Sequence, residues 1–279
     1  MIRSRGHRWP TFPAETLRRL FDAVDVNDMV DAHVALPDPI VLACPEDSIR
    51  QCYALCLHYW KDGASRTDAL RLINKLLRNE GLSADERLEY KHIRARYKHL
   101  RFSQRLYSKS HKSDYLFDKT TRILGKLQDA FRGGRRDDII RNGLRLRVLL
   151  SKPVWWIVKR SMEHTRLDSE AGLIAFQKAE IKALKEAMAS TTFVGDQFHS
   201  VRKIVSMQVS FYDTLRTLGP NDHAYRMSRF LAAINGLMGS RHDEMVAEAL
   251  SGRRHYDTPA PLANETRSRL ETLVARYPL

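Results

Sequence analysis

Apolar side chains recur at helical spacing along almost the whole chain, and strand-like alternation is nearly absent. The first pattern covers residues 14–32, carried by Leu17, Leu20, Phe21 and Val24. Further helices are predicted over residues 46–61, 65–80, 84–110, 113–132, 135–150, 153–165, 168–190, 195–218, 222–239, 241–251 and 262–277. Gly63, Gly81, Gly133, Gly134, Gly195, Gly219 with Pro220, and Gly252 supply the stops. Residues 1–13 read as an irregular basic arm, and residues 36–45, with three prolines, as an extended connection. Residues 34–41 are the only weak strand candidate. The expected class is all-α.

Within residues 84–110 the polar positions are ordered as well. Arg87, Lys91, Arg94, Lys98, Arg101, Arg105 and Lys109 share a helical stripe roughly 80° wide. Tyr90, Ile93, Tyr97 and Leu100 flank it on one side, and Leu88, Ala95, Phe102 and Leu106 on the other. His92, Arg96, His99 and Ser103 form the back. A cationic row between two apolar rows predicts a basic groove walled by neighbouring helices, and uncompensated cations held there need an anion. Lys119, Arg122 and Lys126 form a shorter row on the next helix, beside an apolar face of Leu116, Ile123, Leu127 and Ala130.

Charge sharpens this picture. The 279 residues carry 47 Lys and Arg against 33 Asp and Glu, a formal charge of +14. Residues 87–147 hold 18 of those cations and 6 carboxylates, whereas residues 199–252 hold 6 and 5. The excess is therefore local, and it points to a polyanion: nucleic acid, polyphosphate or an anionic membrane surface. Arg141, Arg145 and Arg147 extend the basic surface.

Two stretches about 107 residues apart repeat one plan. Gly134-Arg135-Arg136-Asp137-Asp138 follows one helix, and Gly239-Ser240-Arg241-His242-Asp243 follows the other. Lys91-His92-Ile93-Arg94 precedes the first, and His199-Ser200-Val201-Arg202-Lys203 the second. The order and spacing resemble the CHAD family, the conserved-histidine α-helical domains. The likeness covers about residues 84–252, with Lys91 where the family has its first histidine and Ser206, Met207 and Val209 where it has basic residues.

The resemblance implies a duplicated four-helix-bundle unit with pseudo-two-fold symmetry and a basic central groove. Residues 1–83 would form an N-terminal arm and helical extension, with repeats over about 84–165 and 195–279. It also implies non-catalytic binding of inorganic polyphosphate, with neither enzyme activity, metal nor cofactor, in the cytoplasm and beside polyphosphate-granule proteins. The expected ligands are Lys91, Arg94, Lys98, Arg101, Arg105, Arg122, Lys126 and Arg136, joined by His199, Arg202, Lys203 and His242 from the second copy. Arg136 follows a glycine turn, and Asp137 reads as a helix-start carboxylate.

Two other readings remain open. Tyr90, Tyr97, Phe102, Tyr107 and Tyr115 interleave with the cations as base-stacking residues of an RNA-binding protein do, although their positions also match packing flanks. His199, His242, Asp243 and Asp257 loosely match the metal set of HD phosphohydrolases. The neighbouring Trp155 and Trp156 read either as buried or as a docking patch. The three cysteines, Cys44, Cys52 and Cys56, read as buried thiols. Nothing approaches 18 consecutive apolar residues, and no apolar leader stands at the N-terminus, so no membrane partner is expected.

Overall fold

The computed structural model describes residues 9–219 and 221–279. The fold is all-α. Among the described residues the helices are α1 (Ala14–Asp25), α2 (Glu46–Gly63), α3 (Arg66–Leu77), α4 (Ala84–Tyr107), α5 (Tyr115–Arg132), α6 (Arg136–Leu149), α7 (Lys152–Glu163), α8 (Glu170–Met188), α9 (Gly195–Leu218), α10 (Asp222–Leu250) and α11 (Asn264–Arg276). No described helix is long and apolar enough to cross a membrane.

Local chemistry explains where the helices begin. Ser83 starts α4 with a capping box: its Oγ accepts from Glu86 N at 3.2 Å, and the Glu86 carboxylate accepts from Ser83 N at 3.0 Å. Side-chain oxygens of Ser65, Asp114, Ser169 and Asn221 cap α3, α5, α8 and α10 in the same way.

The chain divides into two compact units. One takes the described residues up to Leu17 with Asp47–Asp168, and the other Arg18–Glu46 with Ser169–Leu279. The division does not fall at residue 83, where the sequence suggested one. In the first unit α3 packs on both α4 and α6. The Arg136 guanidinium donates to the carbonyls of Leu76 and Leu77, both at 2.6 Å, and so closes the C-terminal end of α3. The centre is aromatic. Trp60 meets Tyr97 and Phe117 edge-on at 5.8 and 5.5 Å, and those two rings stack at 5.1 Å. The expected basic arm lies, up to residue 8, outside the described residues. Beyond it, Trp9 donates to the Glu163 carbonyl at 2.9 Å.

In the second unit α9 and α10 form the main helical pair, flanked by α8 and α11. Arg229 donates to the carbonyls of Val26 and Met29, and Asn235 to that of Asn27. Gly236 makes that approach feasible, because a methyl group there would fall 2.0 Å from the Asp28 carbonyl oxygen. These contacts tie the segment after α1 to α10. A two-residue antiparallel pair, β1 (Thr192–Phe193) with β2 (Ala260–Pro261), completes the unit.

Three expectations are corrected. Helix α1 ends at Asp25 rather than residue 32. Residues 34–41 contain no strand. The two helices expected over 222–239 and 241–251 are one, α10, running through Gly239 and Ser240 without a turn.

Candidate polyanion site

The basic row lies on α4, which packs against α5. Its centre is half-buried and its ends are exposed: Arg94, Lys98, Arg101 and Arg105 are partly covered, while Arg87, Lys91 and Lys109 stand in solvent. The aromatic flanks pack inward, with Tyr90, Tyr97, Phe102 and Tyr107 at most 3% exposed. The back of the stripe is not a solvent face. His99 and Ser103 are buried, and the Arg96 guanidinium sits 4.7 Å from the Tyr59 ring centroid.

Asp118 on α5 organises the middle of the row. Its Oδ1 lies 2.6 Å from Arg101 Nε, a close ion pair without the alignment of a hydrogen bond, and its Oδ2 lies 2.6 Å from Arg122 Nη2. Burial pulls the Arg101 guanidinium below its ordinary pKa. Asp118 opposes that fall, and Arg105 and Arg122 add to it. Two guanidiniums thus share one carboxylate, and Arg105 lies close enough to Arg101 to act on it.

The remaining candidates differ in their surroundings. Arg94 passes over Gly125, where a methyl group would stand 3.3 Å from Nη2, and donates to Gln128 Oε1 at 3.0 Å. The Lys98 ammonium lies 5.6 Å from the Phe102 ring centroid. Lys126 is exposed on α5. Arg136 is engaged by the end of α3, so the expectation that it serves the groove gives way to a capping role. Asp137 lies exposed in the first turn of α6.

The second-copy residues gather within the other unit. The His199 and His242 rings are 5.7 Å apart, and the Tyr256 hydroxyl is 3.3 Å from His242 Nε2. The His199 pKa falls to about 4, chiefly through burial. Lys203, His242 and Arg202 contribute to that fall, while Asp196 opposes it. His199 Nδ1 is buried and finds no hydrogen-bond partner among the described residues. Gly239 lies beneath Arg202, because a methyl group there would be 2.8 Å from Nη2. The glycine expected to make a turn instead admits a guanidinium between two helices.

Asp118, Gln128 and Tyr256 were missed by sequence reasoning. Only Asp118 left a signal, its i, i+4 spacing to Arg122. Asp243 and Asp257 are exposed, and no group of three His, Cys, Asp or Glu among the described residues is placed to hold a metal. A cavity of about 510 Å³ beyond the end of the row is lined by hydroxyls, Lys109, Lys112 and Arg166. Its polar groups largely satisfy one another, Ser113 donating to Gln104 and Ser161 to Asp114.

The residues and fold therefore define an all-α protein with a half-buried arginine cluster. A scan against family models gives no match, and searches of curated proteins and of solved structures find no relative.

Proposed function

We propose that this chain binds a linear polyanion without catalysis, and that the ligand is inorganic polyphosphate. On this reading it is a divergent CHAD-like duplicated bundle, acting in the cytoplasm at polyphosphate granules. The observation that carries the proposal is the sharing of one carboxylate, Asp118, by Arg101 and Arg122 with Arg105 beside them. A phosphate oxygen supplies the negative charge that Asp118 alone does not. Arg forks onto two phosphate oxygens, and the flanking Lys91, Lys98 and Lys126 act as point charges.

A helical row places cations roughly 5 Å apart along the axis, a spacing suited to a repeating anion with no base edges to read. RNA is the second reading. Tyr115 favours it, being 67% exposed with the Lys119 ammonium 5.5 Å from its ring centroid. The burial of the other four aromatics weakens it.

The test is titration with defined-length polyphosphate across a salt series, with RNA as competitor. Engagement of Lys91, Arg94, Lys98, Arg101 and Arg105 gives a log–log salt slope of roughly −3 to −4. Lys98→Glu with Arg101→Glu abolishes binding while the melting profile stays cooperative. Retained affinity in that variant, or preference for RNA, overturns the proposal.

A further inference from the structure

Helices α6 and α7 each expose apolar side chains that neither their core contacts nor the proposed groove uses. On α6, Ile140, Leu144 and Val148 recur every fourth residue and are 37, 51 and 66% exposed. That spacing puts them on one ridge. On α7, which packs against α6, Trp156 and Ile157 are 61 and 49% exposed. Both helices already bury an ordinary core side through Ile139, Leu146, Leu149, Val158 and Met162. The outward residues are therefore additional to the face that holds the unit together.

Charge around this face is mostly positive, with Asp138 at its start paired to Arg141. Residues 139–162 contain six Lys and Arg and no Asp or Glu. All six cations, Arg141, Arg145, Arg147, Lys152, Lys159 and Arg160, are exposed. By helical angle Arg147 borders one side of the α6 ridge, and Arg141 and Arg145 the other. Arg160 lies 5.6 Å from the Trp156 ring centroid.

We propose that the α6–α7 face docks on an anionic lipid bilayer. The apolar ridge enters the boundary between headgroups and acyl chains, and the bordering cations meet lipid phosphates. Trp156 suits that depth, since an indole favours a zone that is apolar on one side and wet on the other. A second copy is a poor occupant, because facing two such surfaces sets two mostly cationic rims against each other. A protein partner gains most where anchors fill recesses. These side chains stand on helix ridges, and none of them lines the described cavities next to the chain's polar clefts. A bilayer needs no matching recess. The expectation of no membrane partner rested on apolar run length, which cannot register a face spread over two short helices.

The test is flotation of the full chain with vesicles of phosphatidylcholine alone and of phosphatidylcholine with phosphatidylserine. Binding rises at least about tenfold with the anionic lipid, and Trp156 emission shifts to the blue. Leu144→Glu with Val148→Glu, both exposed positions, abolishes flotation, leaves the melting temperature unchanged and leaves polyphosphate affinity intact. Trp156→Phe floats but loses the emission shift. Failure to float on anionic vesicles, or flotation unchanged by Leu144→Glu with Val148→Glu, overturns the proposal. So does a concentration-dependent dimer that this double variant dissociates.

Discussion

Arg101 and Asp118 form an ion pair at 2.6 Å that neutralises only part of the charge around it, because Arg122 takes the other oxygen of the same carboxylate. Replacing Asp118 by Asn keeps the shape and removes the internal anion. The expected result is a rise in polyphosphate affinity of about five- to tenfold, equivalent to roughly 1 kcal/mol. Isothermal titration at fixed salt measures it. A fall in affinity would mean that Asp118 aligns the arginines rather than competing for them.

Arg136 and the α3 carbonyls make the opposite forecast. Arg136→Met leaves two carbonyl oxygens without their charged donor and lowers the stability of the first unit by about 2–3 kcal/mol. Polyphosphate affinity, measured below the melting transition, stays within twofold. A large loss of affinity at unchanged stability would return Arg136 to the groove.

At Gly239 the two effects have opposite signs. Gly239→Ala adds helix propensity of up to about 1 kcal/mol, yet its methyl group would displace the Arg202 guanidinium. The variant melts no lower than the parent chain. Polyphosphate affinity drops about threefold or more, on the order of the 0.7 kcal/mol that such a ratio represents, and unchanged affinity in the same titration removes Arg202 from the proposed ligands.

Two buried groups make stability depend on pH, in opposite directions. His99 is almost wholly enclosed, and burial, with Lys98 nearby, lowers its pKa to about 3 from an ordinary 6.5. The unfolded chain therefore binds the proton more readily. Stability is complete above pH 6.5 and falls as the pH drops toward 3, by on the order of 4 kcal/mol in total. Asp213 behaves in reverse. Burial raises its pKa to about 6, against the lowering pull of Arg216 and Ser228, so its contribution weakens as pH rises from about 4 to 6. Hydrogen exchange between pH 4 and 7 shows protection in α4 rising with pH, and His99→Gln flattens that trend. Around α9 the Asp213 effect runs the other way, and Asp213→Asn removes it.

Most of the helices were legible because apolar spacing near 3.6 residues survives in nearly every segment, and because glycines such as Gly63, Gly81 and Gly133 stand at or just beyond the ends of theirs. The α10 break was misread for a physical reason. A Gly-Ser pair marks a turn only when nothing else needs the space, and here Arg202 from α9 occupies it. Part of the candidate site was visible too, since the α4 row is a one-helix pattern. Its neutralisation was not, because Arg101 reaches Asp118 across two helices and no spacing within either announces that. Likewise Trp155 and Trp156 are adjacent in sequence but part ways: Trp155 lies 5.1 Å from Trp60 in the core while Trp156 faces out.

The Asp118 carboxylate between Arg101 and Arg122 has one more consequence for the proposed binder. It behaves as a tethered decoy that never diffuses away, so an arriving anion must outbid it. Orthophosphate brings too few charges to succeed at moderate salt. On the proposed reading a long chain engages the flanking lysines at the same moment and succeeds, so the expected selectivity is for ligand length rather than for phosphate itself.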